Sequence, residues 1–183
     1  MKTKDYKKPR FAIKSTVVYA LACAFICVCA MISIPFAVPV TMQSFALFFC
    51  LFYLGGKRTL VSVLLYILIG ALGVPVFSGF SGGFSRLLDA SGGFIFGLFI
   101  SALVYLVLTL LFPKGDAFKV LCSVVAHLVL YLCGTLWYSL VYLGGVQGSF
   151  AAAILACVVP FLIPDAAKLF FAYILAKRLP RLD

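Results

Sequence analysis

Phe94-Ile95-Phe96-Gly97-Leu98-Phe99-Ile100-Ser101-Ala102-Leu103-Val104-Tyr105-Leu106-Val107-Leu108-Thr109-Leu110-Leu111-Phe112 runs for nineteen residues without a charge. About 20 predominantly apolar residues carry a helix across the hydrocarbon core of a bilayer. This stretch therefore reads as a membrane span, and its surroundings repeat the theme. Downstream, Pro113-Lys114-Gly115-Asp116 turns the chain into a second apolar run over 118–143. A tight uncharged loop, 144–149, leads to a third over 150–175, and Lys177, Arg178 and Arg181 follow. Upstream lie a Gly/Ser-rich stretch over 78–93 and an apolar run over 59–76. The turn Gly55-Gly56-Lys57-Arg58 comes before that, then a short apolar run over 40–54. Ile34-Pro35-Phe36-Ala37-Val38-Pro39 breaks the chain, since each proline disfavours helix in the residue before it. A first apolar run covers 15–34, too long for a signal-peptide core and without a convincing cleavage site, so it reads as a retained helix. Residues 1–14 form a basic polar arm. The expectation is an all-α membrane protein: one six-helix transmembrane domain over 1–183, with no internal repeat of the kind that marks many secondary transporters.

Composition agrees. Of 183 residues, 65% are apolar and 11% charged, with no glutamate. Soluble domains are roughly 25% charged and 45–50% apolar, so a soluble enzyme, a disordered regulator and a nucleic-acid binder are excluded as first readings. Six spans consume nearly all the apolar content and leave no room for a soluble domain. The net charge of +10 is a matter of topology. Lys2, Lys4, Lys7, Lys8, Arg10 and Lys14 crowd the first fourteen positions, and most other basic residues flank apolar runs. With the N-terminus inside, thirteen basic residues fall on the cytoplasmic side against Arg86 alone outside. Excess Lys and Arg mark cytoplasmic loops, so both termini are expected in the cytoplasm, with 78–93 as an outer lid. The seven cysteines all sit within apolar runs and read as small buried residues.

Polar groups that the bilayer should exclude are the functional candidates. Asp165 and Lys168 lie inside the last run, in Pro160-Phe161-Leu162-Ile163-Pro164-Asp165-Ala166-Ala167-Lys168. A charge at that depth costs roughly 2.5–3.5 kcal/mol by insertion measurements. Spacing i, i+3 places both on one helical face, and the prolines free backbone carbonyls that are tolerated mainly beside a cavity. They read as a polar site facing an internal cavity; the plainer reading is a self-neutralising ion pair. The second candidate is the lid with its approaches. Phe77, Phe80, Phe84 and Phe94 interleave with Ser81, Gly82, Gly83, Arg86, Ser91 and Gly92, a mixture of apolar walls and few donors that suits a small-molecule pocket. Thr41 and Gln43 add polar groups near the outer start of the second run. His127 reads as a packing residue, and Trp137 as an interface anchor or ring-covering aromatic. Ala20 and Ala24 form a small-xxx-small pair suited to close helix packing. Gly56-Lys57 is no P-loop, because Arg58 stands where Ser or Thr is needed.

Taken in order, these motifs resemble the BioY family, the biotin-specific substrate-binding subunits of energy-coupling-factor transporters. The resemblance rests on Ile34-Pro35-Phe36-Ala37-Val38-Pro39-Val40-Thr41-Met42-Gln43 and on Gly73-Val74-Pro75-Val76-Phe77. It continues through Ser81-Gly82-Gly83 and Ser91-Gly92-Gly93-Phe94 to Pro160-Phe161 with Asp165-x-x-Lys168. It implies a six-helix subunit of the cell membrane that captures biotin from outside. Uptake would be driven by a transmembrane coupling protein and two ATPase subunits, so that this chain itself needs no cofactor and binds no nucleic acid. Asp165 and Lys168 carry over as ligand contacts, and Ala20 and Ala24 as the face that docks on the coupling protein. One departure stands out: where the family has Gly-Pro-Thr-Gly-Gly-Tyr, this chain has Asp89-Ala90-Ser91-Gly92-Gly93-Phe94, so Phe94 has lost a hydroxyl. Lys168 and Arg86 are both open as partners for the biotin carboxylate. A related subunit for another vitamin, a self-sufficient carrier acting as an oligomer, and a membrane enzyme using Asp165 and His127 are the alternatives.

Overall fold

The computed structural model describes residues 9–35, 38–112, 115–144 and 149–180. The turn at Pro113-Lys114, the loop interior 145–148, most of the basic arm and Arg181 lie outside the described residues. The elements are α1 (Pro9–Met31), β1 (Ser33–Ile34), β2 (Val40–Thr41), α2 (Gln43–Tyr53), α3 (Gly56–Ala71), α4 (Phe84–Leu87), α5 (Gly92–Leu111), α6 (Asp116–Trp137), α7 (Ser149–Cys157) and α8 (Val159–Arg178). A π-helical turn, Tyr138–Tyr142, extends α6. Among the described residues, four helical stretches are long and apolar enough to cross a membrane: Ile13–Met31, Gly92–Leu111, Asp116–Tyr142 and Phe150–Arg178. The other two expected runs form shorter helices, α2 with 11 residues and α3 with 16.

The sequence boundaries shift in instructive ways. Helix α1 starts at Pro9, inside the expected polar arm, and proline suits a first helical position. On either side of the expected break, β1 and β2 pair antiparallel, with Ser33 opposite Thr41 and Ile34 opposite Val40. The last run is divided at Val158, and Pro160 enters as an N-terminal residue of α8. Pro164 lies within α8 and donates no backbone hydrogen bond to the carbonyl of Pro160. The lid has order of its own: Phe77 and Ser81 form an isolated bridge, and α4 supplies one helical turn.

Many large apolar side chains point outward, including Leu110 at 75% exposed and Ile163 at 84%, while Thr59, Ser62, Ser101, Ser123 and Ala126 are fully buried. This inside-out pattern is expected where lipid is the solvent and helices meet through small residues. Helix α5 lies against α6 and α3, α2 against α8, and α1 against α3 and α2. The α5–α6 seam is closest at glycines. A Cβ on Gly93 would lie 2.1 Å from Cβ of Trp137, and one on Gly134 would lie 2.3 Å from the ring of Phe94. Gly93→Ala should therefore lower the melting temperature in detergent, corresponding to about 1–3 kcal/mol of overpacking. An unchanged melt would contradict the close seam.

Candidate functional site

Helices α2, α3, α5, α6 and α8, the β2 strand and the lid enclose a cavity of about 320 Å³. Its volume is at the small end of the range for ligand sites. The apolar wall includes Phe77, Phe94, Leu98 and Phe161. Phe77 reaches inward because Gly70 has no side chain: a Cβ there would lie 2.2 Å from the Phe77 ring. Phe77 then meets Tyr66 edge-on, with ring centroids 5.4 Å apart. Phe94 stacks on Phe161 at 6.2 Å.

Asp165 forms the polar floor. It is 5% exposed, and both oxygens accept two hydrogen bonds. Oδ1 accepts from Ser44 Oγ at 2.7 Å and Lys168 Nζ at 2.8 Å. Oδ2 accepts from Tyr131 Oη at 2.7 Å and His127 Nε2 at 2.9 Å. An ionised carboxylate only accepts, so His127 carries its proton on Nε2. Its Nδ1 is buried and has no partner among the described residues. Lys168 also donates to the Thr41 carbonyl at 2.7 Å and to Ser44 Oγ at 3.1 Å. All three ammonium donors are thus used, and α8 is tied to the β2 strand. Beside this floor, Thr41 Oγ1 donates to Gln43 Oε1 at 3.0 Å, and Gln43 Nε2 donates to Tyr66 Oη at 2.6 Å.

Also lining the cavity, and more exposed, Arg86 Nη1 pairs with Asp89 Oδ2. Asp89 Oδ1 accepts the Ala90 N–H at 2.7 Å, and the Asp89 carbonyl accepts the Trp137 indole N–H at 3.0 Å. Ser81 Oγ donates to the Ser78 carbonyl at 2.7 Å.

The candidates of the sequence thus divide. Asp165, Arg86, Gln43, Thr41, Phe77, Ser81, Ser91 and Phe94 line the cavity. Lys168 stands behind it, bound to Asp165. Gly82, Gly83, Gly92 and Trp137 shape the wall instead. Gly82 packs on the Val74 carbonyl, 2.3 Å from where a Cβ would be, and Gly83 takes φ +99°, which favours glycine. Gly92 lies under Leu87 and Trp137. Ala20 and Ala24 are exposed on α1, away from the cavity lining. His127 is corrected from a packing residue to a hydrogen-bond partner of Asp165. Ser44, Tyr66, Tyr131 and Asp89 are additions. His127 and Tyr131 are spaced i, i+4 and so share one face of α6, but that spacing alone does not show that the face meets a charge.

In this network Lys168 is the counter-charge to Asp165, and both side chains are buried. Removing one member of a buried pair leaves the other uncompensated and costs about 3–5 kcal/mol. Lys168→Met should lower thermal stability by that order, and adding Asp165→Asn should recover part of the loss. Melting curves in detergent that show no recovery in the double variant would contradict the coupling.

Comparison with known proteins places this arrangement. The family model described as the BioY family matches residues 1–182. A protein of Pyrococcus horikoshii described as a probable biotin transporter BioY is 35% identical over 167 residues, covering 91% of this chain and 96% of that one. The biotin transporter BioY of Thermotoga maritima is 37% identical over 163 residues, covering 87% and 92%. The crystal structure of the S-component for biotin from an ECF-type ABC transporter superposes with a TM-score of 0.78 at 19% identity, covering 93% of each chain, so the two share a fold. The family and the matched relatives are transporters, not enzymes, and the chain, matched along nearly its whole length, belongs to the BioY family.

Proposed function

We propose that this chain captures biotin in the cavity under the lid and serves as the substrate-binding subunit of an energy-coupling-factor transporter in the cell membrane. The observation that carries the reading is the buried Asp165–Lys168 pair forming the floor of an otherwise largely aromatic and aliphatic cavity. The names of the relatives favour the same ligand. Biotin has two ureido N–H donors, a ureido carbonyl, an apolar thioether ring and a carboxylate tail. Asp165 would accept from the ureido N–H groups, exchanging a present donor such as Ser44 for the ligand. Thr41 and Gln43 stand beside it with further polar capacity. Phe77, Phe94 and Phe161 would cover the ring system. Lys168 has its three donors committed, whereas Arg86 lines the cavity, so Arg86 is the favoured partner for the carboxylate.

The same proposal includes six spans, with α2 and α3 completing the four longer ones, and both termini in the cytoplasm. Supporting this orientation, Tyr53, Asp116, Lys119 and Lys177 gather at one end of the bundle, where cytoplasmic basic residues are expected. The outer face would then carry the lid. Power would come from two ATPase subunits acting through a transmembrane coupling protein, docked at the exposed Ala20–Ala24 face of α1. The chain itself would use no cofactor.

Titration of the purified protein in detergent should give heat with biotin and none with thiamine. Asp165→Asn should weaken biotin binding by about 1.5–3 kcal/mol, the range for a hydrogen bond to a charged group. No heat with biotin would defeat the proposal, and unchanged affinity in the variant would remove Asp165 from the contact. Uptake of labelled biotin by this chain alone would instead favour a self-sufficient carrier.

A further inference from the structure

Among the described residues, the ionised side chains at the cavity come as two opposed pairs. Asp165 and Lys168 neutralise each other at the floor, with side chains 5% and 10% exposed. Arg86 and Asp89 do so at the rim, with side chains 40% and 38% exposed. The charges around the cavity therefore sum to zero before any ligand arrives.

The rim pair is not symmetrical. Asp89 is fixed: its second oxygen accepts the Ala90 N–H, and its carbonyl holds the indole of Trp137. Arg86 extends from the single turn of α4, and its other N–H donors can turn toward the cavity it lines. A guanidinium has five donors, so pairing with Asp89 leaves some for a ligand.

This changes what the rim selects. An arginine without a counter-ion favours an anionic tail, because two opposite charges in contact attract each other more than a charge attracts a neutral carbonyl. Arg86 already has its counter-ion, and a ligand carboxylate on the same guanidinium would also face Asp89, a like charge. A neutral carbonyl meets the same donors without that repulsion. The greater exposure of the rim also leaves an exit for a longer tail.

Resting on the biotin site proposed above, we infer that this cavity accepts biotin whose carboxyl group is joined as an uncharged amide about as well as free biotin, and that Asp89 sets this tolerance. The ligand class is then biotin and its amide conjugates, held by the ureido ring at the floor and selected little by tail charge.

The test is calorimetric titration of the purified full chain with biotin and with biotin amide. The wild-type protein should bind the two with dissociation constants within about threefold. In Asp89→Asn, which keeps a carbonyl for the Ala90 N–H but removes the charge, the preference for free biotin should rise by about tenfold, because the like charge facing the ligand carboxylate is gone. A wild-type preference for free biotin above threefold, or an unchanged ratio in the variant, would overturn the inference. If the variant does not fold, the wild-type ratio decides it alone. Absence of biotin binding in the wild type would defeat the proposed site and this inference with it. Tight biotin binding with the amide excluded would defeat the inference only.

Discussion

A carboxylate in the middle of a membrane bundle has to be surrounded, and the packing around Asp165 follows from that requirement. Removing an ion from water into a low-dielectric interior carries a penalty of several kcal/mol after relaxation, so a counter-charge and a full set of hydrogen bonds are needed. The four donors on Asp165 come from three helices: Ser44 from α2, His127 and Tyr131 from α6, and Lys168 from α8 itself. Lys168 then reaches the Thr41 carbonyl and brings in the β2 strand. Elements with little apolar reason to converge, in a solvent as apolar as they are, thus meet at one charge. Among the described residues Nδ1 of His127 has no partner, and there the satisfaction stops.

Close approach of backbones governs the other wall. Gly93 and Gly134 let α5 and α6 touch, Gly70 admits Phe77, and Gly82 rests on the Val74 carbonyl. Without hydrophobic driving force between helices in lipid, such contacts are a main source of association. They also set where the aromatic rings lie, so the shape of the cavity is inherited from glycines that scarcely line it.

Much of this was legible beforehand, because a bilayer makes anomalies conspicuous. Asp165 and Lys168 stood out as charges in an apolar run, and the lid as a polar, glycine-rich interruption. The runs located α2, α5 and α6 to within three residues, whereas α1 begins well before its run. Ser44, Tyr66 and Tyr131 were not legible for the converse reason: hydroxyls and phenols are ordinary in membrane helices, and only the packing shows which of them face a charge. His127 failed the same way, since a lone histidine among Val, Ala and Leu has the same sequence whether it packs or bonds. Asp89 stands where the resemblance implies glycine, but its pairing with Arg86 depends on the turn of α4, which the glycine-rich composition concealed. The division of the last run at Val158 was hidden because two prolines nearby offered more obvious breaks.

The end of α8 far from the cavity has its own fastening. Lys177 pairs with Asp116 of α6 at 3.1 Å, and Tyr53 Oη donates to the Pro180 carbonyl at 2.7 Å. Asp165 and Lys177 are twelve residues apart on one helix, about 18 Å along its axis at 1.5 Å per residue. A helix is stiff over that length, so α8 acts as a strut with a charged joint at each end. The joints differ in strength: the Lys177–Asp116 pair is a solvent-exposed ion pair that contributes little, whereas the buried Asp165–Lys168 pair is costly to break.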